Sequence, residues 1–113
     1  MTLSTHVLDA TTGRPAAGVQ VRLERGGDGG WVPSDRGETG PDGRLRLTGD
    51  GGAAEFEPGV YRITFASGAY FRAHGSASFY PEVTITFEMT ARDEHYHVPL
   101  LLSPFAYSTY RGS

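Results

Sequence analysis

Four histidines, His6, His74, His95 and His97, share this chain with ten arginines and six tyrosines. A neutral imidazole can take a proton from water near pH 7. A guanidinium offers a planar fork of donors to carbonyl oxygens, and a tyrosine hydroxyl can donate to a substrate or leaving group. Together these residue types make a histidine–tyrosine–arginine site possible, without fixing its members. His95 and His97 point the same way along a strand, and with His6 as a third nitrogen they would hold a zinc-bound water. Nothing in the spacing brings His6 within coordination distance, so a metal-free site is the preferred reading. Ser4, Ser108 and Ser113 lack the Gly-x-Ser-x-Gly elbow of a serine nucleophile. "RGGDGG" (25–30) lacks the lysine and following helix of a phosphate loop. "TGPDGR" (39–44) is first of all a turn, and spacing alone does not say where Arg44 points.

The elements that must position these groups announce themselves by alternation. "GVQVRLER" sets Val19, Val21 and Leu23 against Gln20, Arg22 and Glu24, and "VYRITF" and "EVTITFEM" repeat the pattern. A period of two is that of half-buried strands. Glycine-, proline- and aspartate-rich turns at 11–18, 25–30, 39–44 and 48–59 divide the chain. Strands are expected near 3–9, 18–25, 31–38, 43–47, 59–66, 82–90, 95–102 and 105–111, with one short helical turn in "SGAYFRAHG" (67–75). Eight short strands with regular turns read as an antiparallel β-sandwich. In the first strand Leu3, Thr5 and Val7 share one face, and Ser4, His6 and Leu8 the other. In "HYHVPLLL" the set Tyr96, Val98, Leu100 and Leu102 reads as the core side. That leaves His97, with Pro99 and Leu101, on an outward face that is partly apolar, as a ligand or subunit contact would be. A single such histidine is more often a plain surface residue; two beside a tyrosine-rich terminus weaken that reading.

Composition limits the function classes. The 113 residues fit a single domain, 1–113. No cysteine is present, which removes disulfides, thiolate metal sites and cysteine nucleophiles. A net charge of −3 argues against a nucleic-acid partner. No segment approaches the roughly 20 apolar residues of a membrane span. "MTLSTHVLD" lacks the basic and apolar regions of a signal peptide, so a cytoplasmic location is expected.

Three stretches, "HVLDATTGRPAAGVQVRL" (6–23), "FYPEVTITF" (79–87) and "YHVPLLLSPFAYSTYRGS" (96–113), together with "TGPDGR", resemble the transthyretin-like family across nearly the whole chain. Hormone carriers of that family have lysine at the position of His6, glutamate at Arg44 and threonine at His97, and they lack the terminal Tyr-Arg-Gly-Ser. This chain has the set of the other branch, which hydrolyses 5-hydroxyisourate in purine breakdown. Ala106 departs from the glycine or serine more usual there.

The resemblance implies an all-β transthyretin-like sandwich of two four-stranded antiparallel sheets with one short helix. It also implies a homotetramer, a dimer of dimers in which edge strands near 82–90 and 105–111 pair with their mates. Two dimers would face each other across a channel walled by Leu8, Pro99, Leu101 and Ser108. By the same resemblance His6, Arg44, His97 and Tyr110 are catalytic, Arg111 and Ser113 shape the site, and no metal or cofactor takes part. His97 is the preferred base, because its more apolar strand would keep the imidazole neutral. A ligand carrier using the same channel and a purely structural sandwich are the competing readings.

Overall fold

A computed structural model describes residues 1–49 and 55–113. The turn expected over 48–59 falls partly outside the described residues. The chain forms β1 (Thr2–Asp9), β2 (Arg14–Pro15), β3 (Gln20–Gly27), β4 (Gly30–Glu38), β5 (Arg44–Leu47), β6 (Gly59–Phe65), α1 (Ser67–Ala73), β7 (Val83–Met89), β8 (His95–Ser103) and β9 (Ala106–Thr109). One sheet runs β4-β3-β6-β7, the other β2-β1-β8-β9 with β5 also on β1.

Alternation decides which residues fill the space between the sheets. Leu3 and Val7 of β1, Leu23 of β3, Ile63 and Phe65 of β6 and Leu100 of β8 are each fully buried, at 0% exposure. Removing side chains of this size from water contributes roughly 1.5–3 kcal/mol each. The helix seals one end: Tyr70 and Phe71 are buried, and the Tyr70 hydroxyl donates to Asp9 Oδ2 at 2.9 Å. Gly68 lets the helix start lie against Pro81, whose carbonyl accepts the Gly68 amide at 3.0 Å and would be 2.8 Å from a Cβ there.

Two features depart from the expectation of paired four-stranded antiparallel sheets. First, β1 and β8 are parallel, with Thr2 beside His95 and Leu8 beside Leu101. The loop that precedes β8 is held at the start of β1: the Met1 ammonium donates to the Arg92 carbonyl at 2.9 Å and the Thr2 amide to that of Glu94. The two strands therefore start at the same end and run the same way. Second, the free edge of β1 is shared: β5 pairs with residues Leu3 to His6 and the two-residue β2 with Leu8 and Asp9. Gly43 sits at the junction, where the Val7 amide donates to its carbonyl at 2.8 Å. Its φ of 77° and a 2.5 Å approach to the Val7 oxygen exclude any side chain there.

The last strand also ends earlier than expected, at Thr109. The chain then rejoins the sheet at one point, a bridge between Gly112 and His97. Both β7 and β9 are edge strands. Among the described residues no helix is long and apolar enough to cross a membrane.

Candidate active site

The residues that alternation turned outward on β1 and β8 lie side by side, because strand register aligns them in rows. Arg46, Ser4, His97 and Gly112 form one row across β5, β1, β8 and the C-terminal bridge. Arg44, His6 and Pro99 form the next. Leu8, Leu101 and Ser108 form the third. Strands lie about 4.8 Å apart and alternate residues about 7 Å apart, so His6, Arg44 and His97 occupy adjoining positions on a single patch.

Local structure explains each placement. Arg44 is delivered by a tight turn: the Gly43 amide donates to the Gly40 carbonyl at 2.8 Å, and Asp42 Oδ1 accepts from the Arg44 amide at 3.0 Å. The question left by "TGPDGR" is thereby answered, with Arg44 directly across from His6. Arg44 is exposed and has no carboxylate partner among the described residues. Its guanidinium keeps its donors available.

His97 is the most constrained member. Its Nδ1 lies 2.8 Å from the Ser4 hydroxyl, leaving Nε2 as the ring nitrogen for a reactant. Burial, above all, holds its pKa below the ordinary histidine value. The charges of Arg44, His95 and His6 act in the same direction, and a backbone hydrogen bond at Ser4 opposes them. A neutral ring at pH 7 follows, which is the form that accepts a proton. His95 is exposed, and its nitrogens face the hydroxyls of Thr2 and Ser4. Among the described residues no three His, Asp or Glu side chains converge as a metal ion requires.

The C-terminal segment lies against this patch by means the sequence did not announce. The Gly112 amide donates to the His97 carbonyl at 2.9 Å. A Cβ on Gly112 would come within 2.5 Å of His97 Cδ2, so only glycine lets the backbone pass here. Arg111 turns away from the histidines: it reaches Glu94 at 2.6 Å and lies 4.6 Å above the Tyr96 ring. Tyr96 in turn accepts the Thr90 and Ala91 amides at 3.0 and 2.9 Å. Arg111 is thus a tether for the tail. Tyr110 is 60% exposed and borders a cavity of about 200 Å³ that it shares with His97, Phe87 and Val98. Ser113 is exposed beyond the bridge.

The structure therefore gathers His6, Arg44, His97, Leu8, Pro99, Leu101 and Ser108 on one face, with Tyr110 and Arg111 at its margin, where both line the cavity beside His97, and Ser113 beyond it. Ser4 and His95, already read onto these outward faces, join them by hydrogen bonding, and Gly112 joins them unforeseen. For Ser4 the signal was its shared parity with His6; for Gly112 the sequence held none.

A family model described as HIUase/Transthyretin family matches residues 3–112. The chain belongs to this family. A 5-hydroxyisourate hydrolase of Salmonella dublin is 48% identical over 111 residues, covering 98% of this chain and 80% of its own. The solved Klebsiella pneumoniae 5-hydroxyisourate hydrolase superposes with a TM-score of 0.84 at 38% identity, covering 100% of both chains. Transthyretin from Sparus aurata superposes with a TM-score of 0.89 at 32% identity, over 97% of this chain and 95% of its own. The hydrolase and the transthyretin both superpose on this chain, so the backbone alone does not separate the two; side chains must.

Proposed function

We propose that this chain is an enzyme that hydrolyses 5-hydroxyisourate to 2-oxo-4-hydroxy-4-carboxy-5-ureidoimidazoline in urate degradation. The observation that carries the reading is the juxtaposition of His6, Arg44 and His97 in adjoining rows of one sheet face. Opening the ring at an amide needs an activated water and donors for the oxyanion that develops. His97, kept neutral by burial, takes a proton from water through Nε2 while His6 orients the same water. The hydroxide oxygen adds to the ring carbonyl, and Arg44 stabilises the negative charge on the carbonyl oxygen. The carbon–nitrogen bond then breaks, the ring nitrogen receives the proton, and the carbonyl carbon ends as a carboxylate. Tyr110, at the margin, donates to the substrate or the departing nitrogen.

Leu8, Pro99 and Leu101 give the patch apolar walls beside its charged groups. They suit a second copy of the chain facing this one, so that a homotetramer encloses the sites and excludes water. The open edges of β7 and β9 fit pairing within each dimer.

The test is direct. 5-Hydroxyisourate is generated with urate oxidase, and its ultraviolet absorbance is followed with and without the protein. Acceleration over spontaneous decay is expected, undiminished after exhaustive chelation; decay at the spontaneous rate would sink the reading. A monomeric mass in solution would sink the tetramer.

A further inference from the structure

Outside the groups assigned above, one chain of polar side chains has no role yet. Ser4 Oγ lies 2.8 Å from His97 Nδ1 and 2.8 Å from His95 Nε2, and Thr2 Oγ1 hydrogen-bonds His95 Nδ1. The parallel register produces this, by setting Thr2 beside His95 and Ser4 beside His97 on the outward face. His97 is half-buried at one end and His95 exposed at the other.

We infer that Thr2, His95 and Ser4 form a proton conduit that leads from His97 to the surface, with Ser4 the positioning residue that fixes the His97 ring. The inference rests on the hydrolase reading and goes beyond it. A hydroxyl has one proton, so within an unbroken chain Ser4 donates to one ring and accepts from the other. Only two arrangements satisfy every link. In one, both rings carry their proton on Nε2: Thr2 donates to His95, His95 to Ser4 and Ser4 to His97. In the other, both carry it on Nδ1, and every bond is reversed. The second is the working form, since it leaves His97 Nε2 free to accept from water.

The proton balance of the transfer is simple. Water gives a proton to His97 Nε2. His97 passes its Nδ1 proton to Ser4 Oγ, and Ser4 passes its own to His95 Nε2. The positive charge has moved from His97 to His95, which holds one more proton, while Ser4 is unchanged and His97 is neutral with its proton now on Nε2. The direction is set by the surroundings. His97 faces His6 from β1, Arg44 from β5 and the Gly112 backbone from the tail. Arg46 stands across Ser4, Glu88 borders the cavity that His97 also lines, and Glu94 is engaged by Arg111. A cation persists poorly beside Arg44 and a second histidine, whereas His95 lies at the exposed start of β8, away from the apolar rows of Leu8, Pro99 and Leu101.

Two measurements decide the matter. Histidine side-chain ¹⁵N spectra of the resting protein at pH 8 are expected to show the His95 and His97 rings in the same tautomer, and Ser4→Ala to break that match. Rings of opposite tautomer in the wild type would overturn the conduit, because Ser4 would then accept from both rings, or face two bare nitrogens and donate to only one of them. In kinetics, Ser4→Ala and His95→Ala are expected to lower kcat by about 100-fold, the low end for positioned proton transfer, with KM little changed. Ser4→Thr should recover most of the loss, and added imidazole should restore His95→Ala. Wild-type turnover by both alanine variants in dilute buffer would also overturn it. If the wild type itself proved inactive, the hydrolase reading would fall, and the spectra would still judge the hydrogen-bonded chain.

Discussion

Gly112→Ala isolates the contact through which the C-terminal segment bears on the site. A methyl group at that position would lie 2.5 Å from His97 Cδ2, 3.2 Å from His97 Cγ and 3.2 Å from Pro99 Cγ. Carbon atoms rest at about 3.5–4.0 Å, so the His97 ring or the tail must give way by about 1 Å. The ring is held by Ser4 on one side, and Pro99 is buried in the sheet. The tail is held by one backbone hydrogen bond and by the exposed Arg111–Glu94 pair, a kind of pair worth about 0–1 kcal/mol. Either response separates His97 from Tyr110 or turns the ring off the line of the water. A displacement of about 1 Å at a reacting group costs about 100-fold in rate, or about 2.7 kcal/mol of barrier. Stability should hardly follow, because residues 106–111 and 113 are exposed, and surface changes stay within about 0.5 kcal/mol. The assay is kcat and KM on freshly generated 5-hydroxyisourate, with Tm measured on the same samples. A variant within twofold of wild-type kcat/KM would show that the tail's seat on His97 does not govern the chemistry.

Three further outcomes are expected. The depressed pKa of His97 places the acid limb of kcat/KM below the usual histidine value of about 6.5. The same depression means the unfolded chain binds the proton more readily, so stability contributed by neutral His97 is present above pH 6.5 and lost as pH falls through its folded pKa. An acid limb centred well above 6.5, or one unmoved by His97→Asn, would contradict the assignment. Tyr70→Phe removes a hydrogen bond to the buried Asp9 carboxylate and should destabilise the fold by about 1.5–3 kcal/mol. Burial and that bond push the Tyr70 phenol to about 12, so wild type should lose stability as pH rises from about 10 toward that value. A Y70F midpoint in urea equal to wild type would refute this. Deleting residues 110–113 should abolish turnover while far-ultraviolet circular dichroism stays that of a folded sheet protein; normal turnover would make the segment dispensable.

Much of this geometry was legible in residue parity. The core residues of β1 and β8 and the outward placement of His6, His97, Leu8 and Leu101 follow from a period of two, because each strand has one face in the core. The turn before Arg44 was legible in "GPDG", but the strand across from it was not, since pairing partners depend on register between distant segments. Arg111 was expected only to shape the site, and its seat on Tyr96 was not legible in the sequence. Its partner Glu94 was hidden, because no local pattern marks which carboxylate a terminal arginine will meet.

Strand direction is the feature that no alternation can reveal, and here it selects the chemistry. His6 stands beside Pro99 in the observed parallel pairing, with Ser4 beside His97 and Leu8 beside Leu101. Reversing β8 about the His6–Pro99 pair would leave every residue on the same face and keep the core intact. It would also exchange the neighbours, putting Leu8 beside His97 and Ser4 beside Leu101. His97 would lose its hydroxyl partner and its ring would be free to turn. In the observed pairing the start of β1 lies against the loop before β8, where the Thr2 amide donates to the Glu94 carbonyl, and that shared start accompanies the register in which His97 meets Ser4. A backbone that superposes on both a hydrolase and a transthyretin therefore leaves the chemistry to a few side chains, and in this chain the parallel pair sets Ser4 next to His97.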